Sequence, residues 1–322
     1  MRRIRLSNSE KIWKSFDEQL ELMKSRGLII EDDVKALNYL ERVGYYTLSG
    51  YWHPLRKSCA EDPRVKKNIF YDDSYFSDVI KLYVFDKKLR LIALDALERI
   101  EIALRVDISH QLGSHDPHAH HIPELLSSGF VNNKIKKGRN AGKTGYEVWC
   151  EKYQSSLSNN SKKPFIKHYT ENYERLPVWV SSEIWDFGML SRLYSGMKHK
   201  DKTIISNKYG AEHCGVMASW IISLNFVRNL CAHHSRLWNH NIVDRTREIT
   251  NDDFLGSLNK SRIFVYFCIM QKMLNVICPN STWGERFKSL LLEFNDIRSE
   301  KISLNSAGFV PGWEDAQLWQ RG

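Results

Sequence analysis

The chain has 322 residues, a length sufficient to build one large or two modest hydrophobic cores. Hydrophobic residues make up 42% and aromatic residues 12% of the sequence, which excludes an intrinsically disordered protein. The net charge of +9 favours a polyanionic partner, with nucleic acid ahead of a membrane surface.

Targeting signals and cysteine usage narrow the class of protein further. No apolar run reaches the roughly 18 residues that span a bilayer, and the basic N-terminus is not followed by the apolar segment of a secretory signal. We therefore expect a cytoplasmic protein with no membrane partner. The six cysteines are scattered without a CxxC pair, so free thiols are expected rather than disulfides or a zinc site. The sequence predicts no metal and no other cofactor.

Helical periodicity dominates the chain, and no segment of any length alternates apolar with polar residues as a half-buried strand does. Two short helices are predicted over residues 9–26 and 32–43, with Gly27 between them as a helix stop. The aromatic and glycine-containing segment 43–56 is predicted to be a packed loop. Together these elements form a predicted N-terminal helical extension over residues 1–70.

The longest periodic stretch covers residues 75–112, where apolar residues recur at alternating spacings of three and four. Such a stripe is typical of a helix that packs along a bundle seam. Its members are Leu82, Phe85, Leu89, Ile92 and Ala96. Further apolar helices are predicted over residues 213–234 and 260–277. The sequence thus predicts an all-α fold, with a helical bundle over residues 71–280 and a C-terminal helix and tail over residues 281–322.

A basic segment rich in Asn, Ser and Gly interrupts the predicted bundle at residues 131–163, and we interpret it as a linker. A cluster of cations of this kind either forms an ordinary solvated loop or contacts the phosphates of a nucleic acid. The RNA-binding candidates are Lys134, Lys136, Lys137 and Arg139, together with Arg236.

The string RNLCAHHSRLWN, residues 228–239, places polar side chains at the end of an apolar helix that would normally be buried. An arginine offers a planar fork of donors to phosphate oxygens. A histidine that titrates near neutrality can accept the proton of an RNA 2′-OH or protonate the leaving 5′-oxygen. An asparagine can orient either group. We therefore predict Arg228, Asn229 and His233 as catalytic residues.

The spacing of Arg228 and His233 raises a geometric problem. Five residues apart on one ideal helix, the two side chains point about 140° away from each other. Three arrangements could bring them together: a local loosening of the helix near Ala232, the reach of the long arginine side chain, or a second copy of the helix.

The Arg228 to His233 pattern, R-x4-H, resembles the signature of the HEPN superfamily of metal-independent ribonucleases. The fuller string RNLCAHHSRLWN is similar to the Abi-like (abortive-infection) family of bacterial HEPN proteins, and four further blocks resemble that family. These blocks are residues 27–52, 85–113, 176–194 and 307–319.

This resemblance implies a HEPN-type helical bundle in which Arg228 and His233 act in RNA cleavage. Asn229 matches the polar second position of the signature, and His234 matches the additional histidine of the Abi-like form. The resemblance also implies phage defence and toxin–antitoxin behaviour, in some members under restraint by a structured RNA. Because the family often builds its site from two HEPN units, we expect a homodimer.

Other features leave alternatives open. Glu98, Arg99 and Glu101, on the predicted helix 75–112, are candidates to support Arg228 or His233 from outside the site, or to form surface ion pairs. Glu101 and Arg105 can pair at i,i+4. The histidine-rich segment 115–123 fits a polar loop better than a metal site, since few other ligands accompany it. The principal functional alternative is a protein that binds a structured RNA without cutting it. A weaker alternative is a DNA-binding regulator that uses the N-terminal helices.

Overall fold

The computed structural model describes residues 12–62 and 64–320, and helices form most of this part of the chain. The prediction of an all-α fold is therefore confirmed, apart from one short antiparallel hairpin. The chain divides into two compact units, one built from the residues up to Lys87 with Leu290–Ser303, the other from Lys88–Ser289 with the residues after Ser303. These units differ from the predicted boundaries at residues 70 and 280.

The first unit contains three helices and the hairpin in its described residues. They are α1 (Phe16–Ser25), α2 (Asp33–Arg42), α3 (Tyr45–Trp52), β1 (Arg56–Ser58) and β2 (Lys66–Phe70). Gly27 ends α1 as predicted, with a φ of +90° and an amide that donates to the Lys24 carbonyl oxygen at 2.8 Å. The start of the predicted helix 9–26, up to residue 11, lies outside the described residues.

The prediction of a packed loop over residues 43–56 is wrong in part, because α3 occupies its centre. Leu48, Tyr51 and Trp52 are buried on this helix. Aromatic residues and glycine have modest helix propensity, so the local sequence argues against a helix here. Burial of these three side chains in the core of the unit outweighs that preference.

The long helix predicted over residues 75–112 is confirmed as α4 (Phe76–Gly113). Its residues up to Lys87 belong to the first unit, and those from Lys88 belong to the second. The predicted seam is buried at Leu82, Phe85, Leu89 and Ala96 and half-buried at Ile92.

Ten further helices follow α4 in the described residues. They are α5 (Ser128–Asn132), α6 (Gly145–Asn159), α7 (Pro164–Asn172), α8 (Val178–Ser181), α9 (Phe187–Gly196), α10 (His199–Lys208), α11 (Cys214–Ala232), α12 (Asp253–Ser257), α13 (Phe264–Ile277) and α14 (Trp283–Leu292). Helices α11 and α13 confirm the two apolar helices predicted over residues 213–234 and 260–277. Most of α13 is buried, as a central core helix should be.

The interpretation of residues 131–163 as a linker is wrong, because α6 fills much of this segment. Trp149 and Tyr153, one helical turn apart, are buried on α6, and their rings stack with centroids 5.4 Å apart. A capping box between Thr144 and Glu147 starts the helix. The polar, basic composition that suggested a linker belongs to the exposed face of α6 and to the loop before it.

Phe130, on α5, is held between two glycines from other helices. A Cβ on Gly145 would lie 2.6 Å from the Phe130 ring, and a side chain on Gly196 would also clash with it. The ring therefore fits only because both positions lack side chains. This contact, which we call the Phe130 clamp, packs α5 against the start of α6 and the end of α9.

His120 lies in an aromatic cage within the second unit. Its ring packs edge-on against Trp149, Tyr153 and Trp185, with centroids 5.7 to 6.1 Å away. The side chain is fully buried, and neither ring nitrogen has a hydrogen-bond partner among the described residues. Burial lowers the pKa of His120 to about 2, so the imidazole stays neutral over the physiological range.

We expect this buried imidazole to make the protein less stable in acid. The unfolded chain binds a proton on His120 below its ordinary pKa of 6.5, whereas the folded chain binds it only near a pKa of about 2. The unfolding free energy therefore falls as the pH decreases below 6.5, by about 2 kcal/mol at about pH 5 for this group. Urea denaturation of His120→Phe should show a smaller loss of stability between about pH 7.5 and 5.

His168→Phe is the matched control, because it makes the same substitution at an exposed histidine on α7. A His120→Phe variant whose stability falls as steeply as that of the wild type would contradict this account.

Candidate active site

Helix α11 is buried along most of its length and emerges at its C-terminal end. Trp220, Ile221 and Leu224 have no exposed surface, whereas Arg228 is half-buried and Asn229 is exposed. By length and composition α11 could cross a membrane, which differs from the expectation that no apolar stretch is long enough. However, 56% of its most apolar window is buried inside the protein, as is typical of a core helix.

A Schellman motif ends α11, with His233 as the C-terminal cap. The amide of His234 donates to the Cys231 carbonyl oxygen at 3.1 Å. The amide of Ser235 donates to the Leu230 carbonyl oxygen at 2.9 Å. This pair of bonds requires a left-handed residue directly after the cap, which is usually glycine. Here that residue is His234, whose φ is +57°.

The end of the helix does not by itself bring Arg228 and His233 together. Helix α11 continues through Ala232, and the backbone leaves the helix at His233, where ψ is +15° and redirects only the residues from His234 onward. A site that uses both side chains therefore needs the reach of the long arginine side chain or a second copy of the helix. His233 and His234 are both exposed beyond the last turn, and Arg228 Nη1 lies 3.4 Å from Asn229 Oδ1.

Glu101, on α4, interacts with the charge of the half-buried Arg228. Burial raises the pKa of this carboxyl, while the positive charges of Arg105 and Arg228 partly oppose that effect. The negative charges of Asp186 and Glu98 raise the pKa of Glu101 further. Arg105 forms an ion pair with Glu101, with its Nη2 atom 3.3 Å from Glu101 Oε1. The motif thus lies beside a network of alternating charges.

Asp186 connects this network to α9 and α6. Its carboxylate accepts the Met189 amide at 2.8 Å, which caps the start of α9, and it pairs with Lys152 Nζ at 2.7 Å. A Cβ on Gly188 would lie 3.2 Å from Asp186 Oδ1 and 3.8 Å from Asn225 Nδ2. The side of α11 that carries Asn225 therefore packs closely against α9.

The chain after the motif is fastened to the core. Leu237 and Trp238 are fully buried. The buried Arg90 donates to the Ser235 carbonyl oxygen at 3.4 Å, and Arg262 donates to that of Asn239 at 3.1 Å. These contacts hold the segment that follows His234 in place.

The supporting residues that the sequence suggested lie in different places. Glu98 is exposed and its charge acts on Glu101. Arg99 instead pairs with both oxygens of Asp95, at 2.7 and 2.8 Å, and donates to Ser281 Oγ. Glu101, the third candidate, forms the i,i+4 pair with Arg105 that its spacing predicts. Arg105 was not itself predicted as a supporting residue, although positions 98, 101 and 105 share one face of α4 and position 99 does not.

The R-x4-H spacing occurs a second time, at Arg105 and His110. Both residues lie inside α4, which continues to Gly113 without a break. The spacing alone therefore does not distinguish a helix interior from the exposed helix end at Arg228 and His233.

The predicted RNA-binding residues Lys134, Lys136, Lys137 and Arg139 are all exposed on the loop between α5 and α6. The loop is a hairpin closed by two backbone hydrogen bonds. The Ile135 amide donates to the Lys143 carbonyl oxygen at 2.8 Å, and the Gly142 amide donates to the Ile135 carbonyl oxygen at 2.9 Å. We refer to residues 134–143 as the basic hairpin. Arg236 is half-buried and its Nε atom is buried, so it is less accessible than these residues.

The histidine-rich segment 115–123 serves mainly structural contacts. His115 Nε2 lies 2.9 Å from Asp201 Oδ1, and His120 fills the aromatic cage. Within residues 12–62 and 64–320, no group of three or more His, Cys, Asp or Glu side chains is arranged to hold a metal ion.

The left-handed backbone at His234 predicts an unusual response to substitution. A β-branched residue pays roughly 1–2 kcal/mol at a left-handed position, whereas glycine avoids this cost. We expect His234→Gly to be at least as stable as the wild type and His234→Val to be less stable by about 1–2 kcal/mol, measured by urea denaturation. Equal stabilities for the two variants would contradict the cap geometry.

Comparison with known proteins places the motif in a family. The model of the Abi-like protein family matches residues 38–239, which is more than half of the chain and ends at the last residue of RNLCAHHSRLWN. The resembling tail block at residues 307–319 lies outside this match. No curated protein and no solved structure matches the chain. The chain belongs to the Abi-like family, and this membership implies a role in abortive infection, a form of phage defence.

Proposed function

We propose that this Abi-like protein is a HEPN-type, metal-independent endoribonuclease that acts as a toxin in phage defence. His233 takes the proton of an RNA 2′-OH, whose oxygen attacks the adjacent phosphorus. The bond from phosphorus to the 5′-oxygen breaks, leaving a 2′,3′-cyclic phosphate on one product. A proton returned to the 5′-oxygen completes the other product. Arg228 stabilises the charge on the phosphate, and Asn229 orients the reacting groups.

The observation that carries this proposal is the grouping of Arg228, Asn229 and His233 at the exposed end of a buried helix. The buried part of α11 gives these side chains a rigid base, which transition-state stabilisation requires. The negative charge of Glu101 acts on the guanidinium from the protein side, and the charge of Asp186 acts on Glu101 in turn. An RNA phosphate would approach from the opposite, exposed side.

The same proposal accounts for the family context and the expected oligomer. Cleavage of RNA in an infected cell would stop phage propagation, as membership in an abortive-infection family implies. We propose a homodimer in which the motifs of two chains contribute to one site. The exposure of Asn229, His233 and His234 supports this arrangement, since all three are accessible to a second chain.

The basic hairpin supports RNA as the substrate. Three cations at its tip, Lys136, Lys137 and Arg139, are exposed and can contact successive phosphates. Lys143, at its base, is instead engaged by Glu151 at 2.6 Å. We propose that the tip holds the backbone of the RNA, while the motif acts on one phosphate.

The catalytic proposal predicts RNA cleavage that persists in excess EDTA and requires His233. His233→Ala should cleave at least about 100-fold more slowly, since general acid–base catalysis contributes about that factor or more. The measurement is the rate of appearance of cyclic-phosphate ends on a labelled RNA. His168→Ala is the matched control, because it removes an exposed histidine on α7.

Equal cleavage by wild type and His233→Ala, or cleavage that EDTA abolishes, would contradict this mechanism. Salt-sensitive RNA binding by a wild-type protein that never produces cleaved ends would favour the non-catalytic RNA binder instead.

The basic hairpin predicts a specific salt dependence. Replacing Lys136, Lys137 and Arg139 together by Gln should weaken RNA binding and lower the slope of log Kd against log salt by about two. The measurement is fluorescence anisotropy over a range of salt concentrations. A triple Gln variant at Lys162, Lys163 and Lys167 removes the same charge from another exposed cluster. Slopes that change equally in both variants would show that only net charge matters.

A further inference from the structure

We infer that a pocket linked to the motif by charged side chains binds an unpaired nucleobase of RNA, an inference that rests on the proposed function. The pocket lies between the C-terminal half of α4 and the segment from α8 to Glu183, within the second unit, and has a volume of about 460 Å³. Its lining includes Arg105, Val106, Gly113, Trp179 and Glu183.

Trp179 is the aromatic surface of this pocket. It is 50% exposed, although large aromatic side chains are usually buried in this unit. Its indole ring rests over Gly113, where a Cβ would lie 3.4 Å from the ring. The ring is therefore supported by the end of α4 and accessible from solvent. A supported, accessible indole is suited to stacking on a base.

The polar groups of the pocket match the edge of a base. Arg105 offers the donors of Nη1, since its Nη2 atom is engaged by Glu101 and by the Trp185 carbonyl oxygen and its Nε atom is buried. The Glu183 carboxylate, 3.9 Å from Arg105 Nη1, is 57% exposed and offers acceptors. Arginine and carboxylate side chains read the acceptors and donors on base edges. Val106, which is exposed, adds an apolar wall.

A chain of charges links this pocket to the motif. Arg105 lines the pocket and pairs with Glu101 at 3.3 Å, and Glu101 in turn interacts with the charge of Arg228. A base on Trp179 and a phosphate held by Arg228 would therefore act on the two ends of one chain of charges. The pocket would then hold a nucleotide of the RNA strand that is cut.

Stacking on Trp179 requires a base that is free of its own neighbours. In a duplex, both faces of each base are covered by adjacent bases, whereas the bases of single strands, loops and bulges can turn outward. The pocket therefore favours single-stranded over double-stranded RNA, independently of the basic hairpin, which contacts phosphates in either form.

The test measures the affinity of labelled single-stranded and duplex RNA in a His233→Ala background, which removes the proposed cleavage. Trp179→Ala should weaken single-strand binding by about tenfold and leave duplex binding unchanged. Trp179→Phe should retain most of the affinity, because the stacking surface remains. Tyr173→Ala is the matched control, since Tyr173 is 57% exposed on the same unit. Circular dichroism and thermal melting would verify that each variant folds.

A second readout reports on stacking itself. A single strand containing 2-aminopurine should lose fluorescence on binding and regain much of it with Trp179→Ala. Unchanged single-strand affinity, or an equal loss for single strand and duplex, would overturn the pocket and leave the proposed nuclease standing. The same holds if Trp179→Ala alters only self-association in sedimentation, which would assign the indole to a protein contact. No binding of either RNA would overturn both proposals, whereas a stacking effect without wild-type cleavage would support the pocket alone.

Discussion

The site depends on the abrupt end of α11, a helix that its burial in the core keeps rigid. Burial of Trp220, Ile221 and Leu224 fixes α11 in the second unit. The left-handed backbone of His234 stops the helix and turns the chain into the buried Leu237 and Trp238. Because both sides of the turn are anchored, the residues at the turn have little freedom to move.

The charges around Arg228 complement this geometry. A half-buried guanidinium needs compensating charge, and α4 supplies it through Glu101, on which the charge of Asp186 at the cap of α9 also acts. Burial disfavours the charged form of Glu101, and the two arginines beside it favour that form. The protonation of this carboxyl therefore depends on what else occupies the site. A bound phosphate would add negative charge and favour protonation of Glu101.

The regular helices could be predicted from the sequence, because α4, α11 and α13 repeat apolar residues at helical spacing and Gly27 marks a helix stop. Helices α3 and α6 could not, since aromatic residues or polar composition hid their buried faces. The motif was visible as misplaced polar residues in an apolar helix. The left-handed conformation of His234 had no sequence signal, because a residue other than glycine adopts it only where surrounding contacts impose it. Helical spacing predicted the Glu101–Arg105 pair, whereas Arg99, which was predicted beside Glu98 and Glu101, lies on another face of α4.

The Phe130 clamp restricts which substitutions a chain of this family can accept. Three positions that are far apart in sequence share one small volume, so none of them can change alone. Any side chain at residue 145 or 196 would need a smaller residue at 130, and a smaller residue at 130 would leave a void between the helices. Variation at these positions should therefore be correlated. The basic hairpin is attached to the bundle next to this contact. Correlated variation at the three positions would preserve that attachment, while the sequence of the hairpin tip is free to vary.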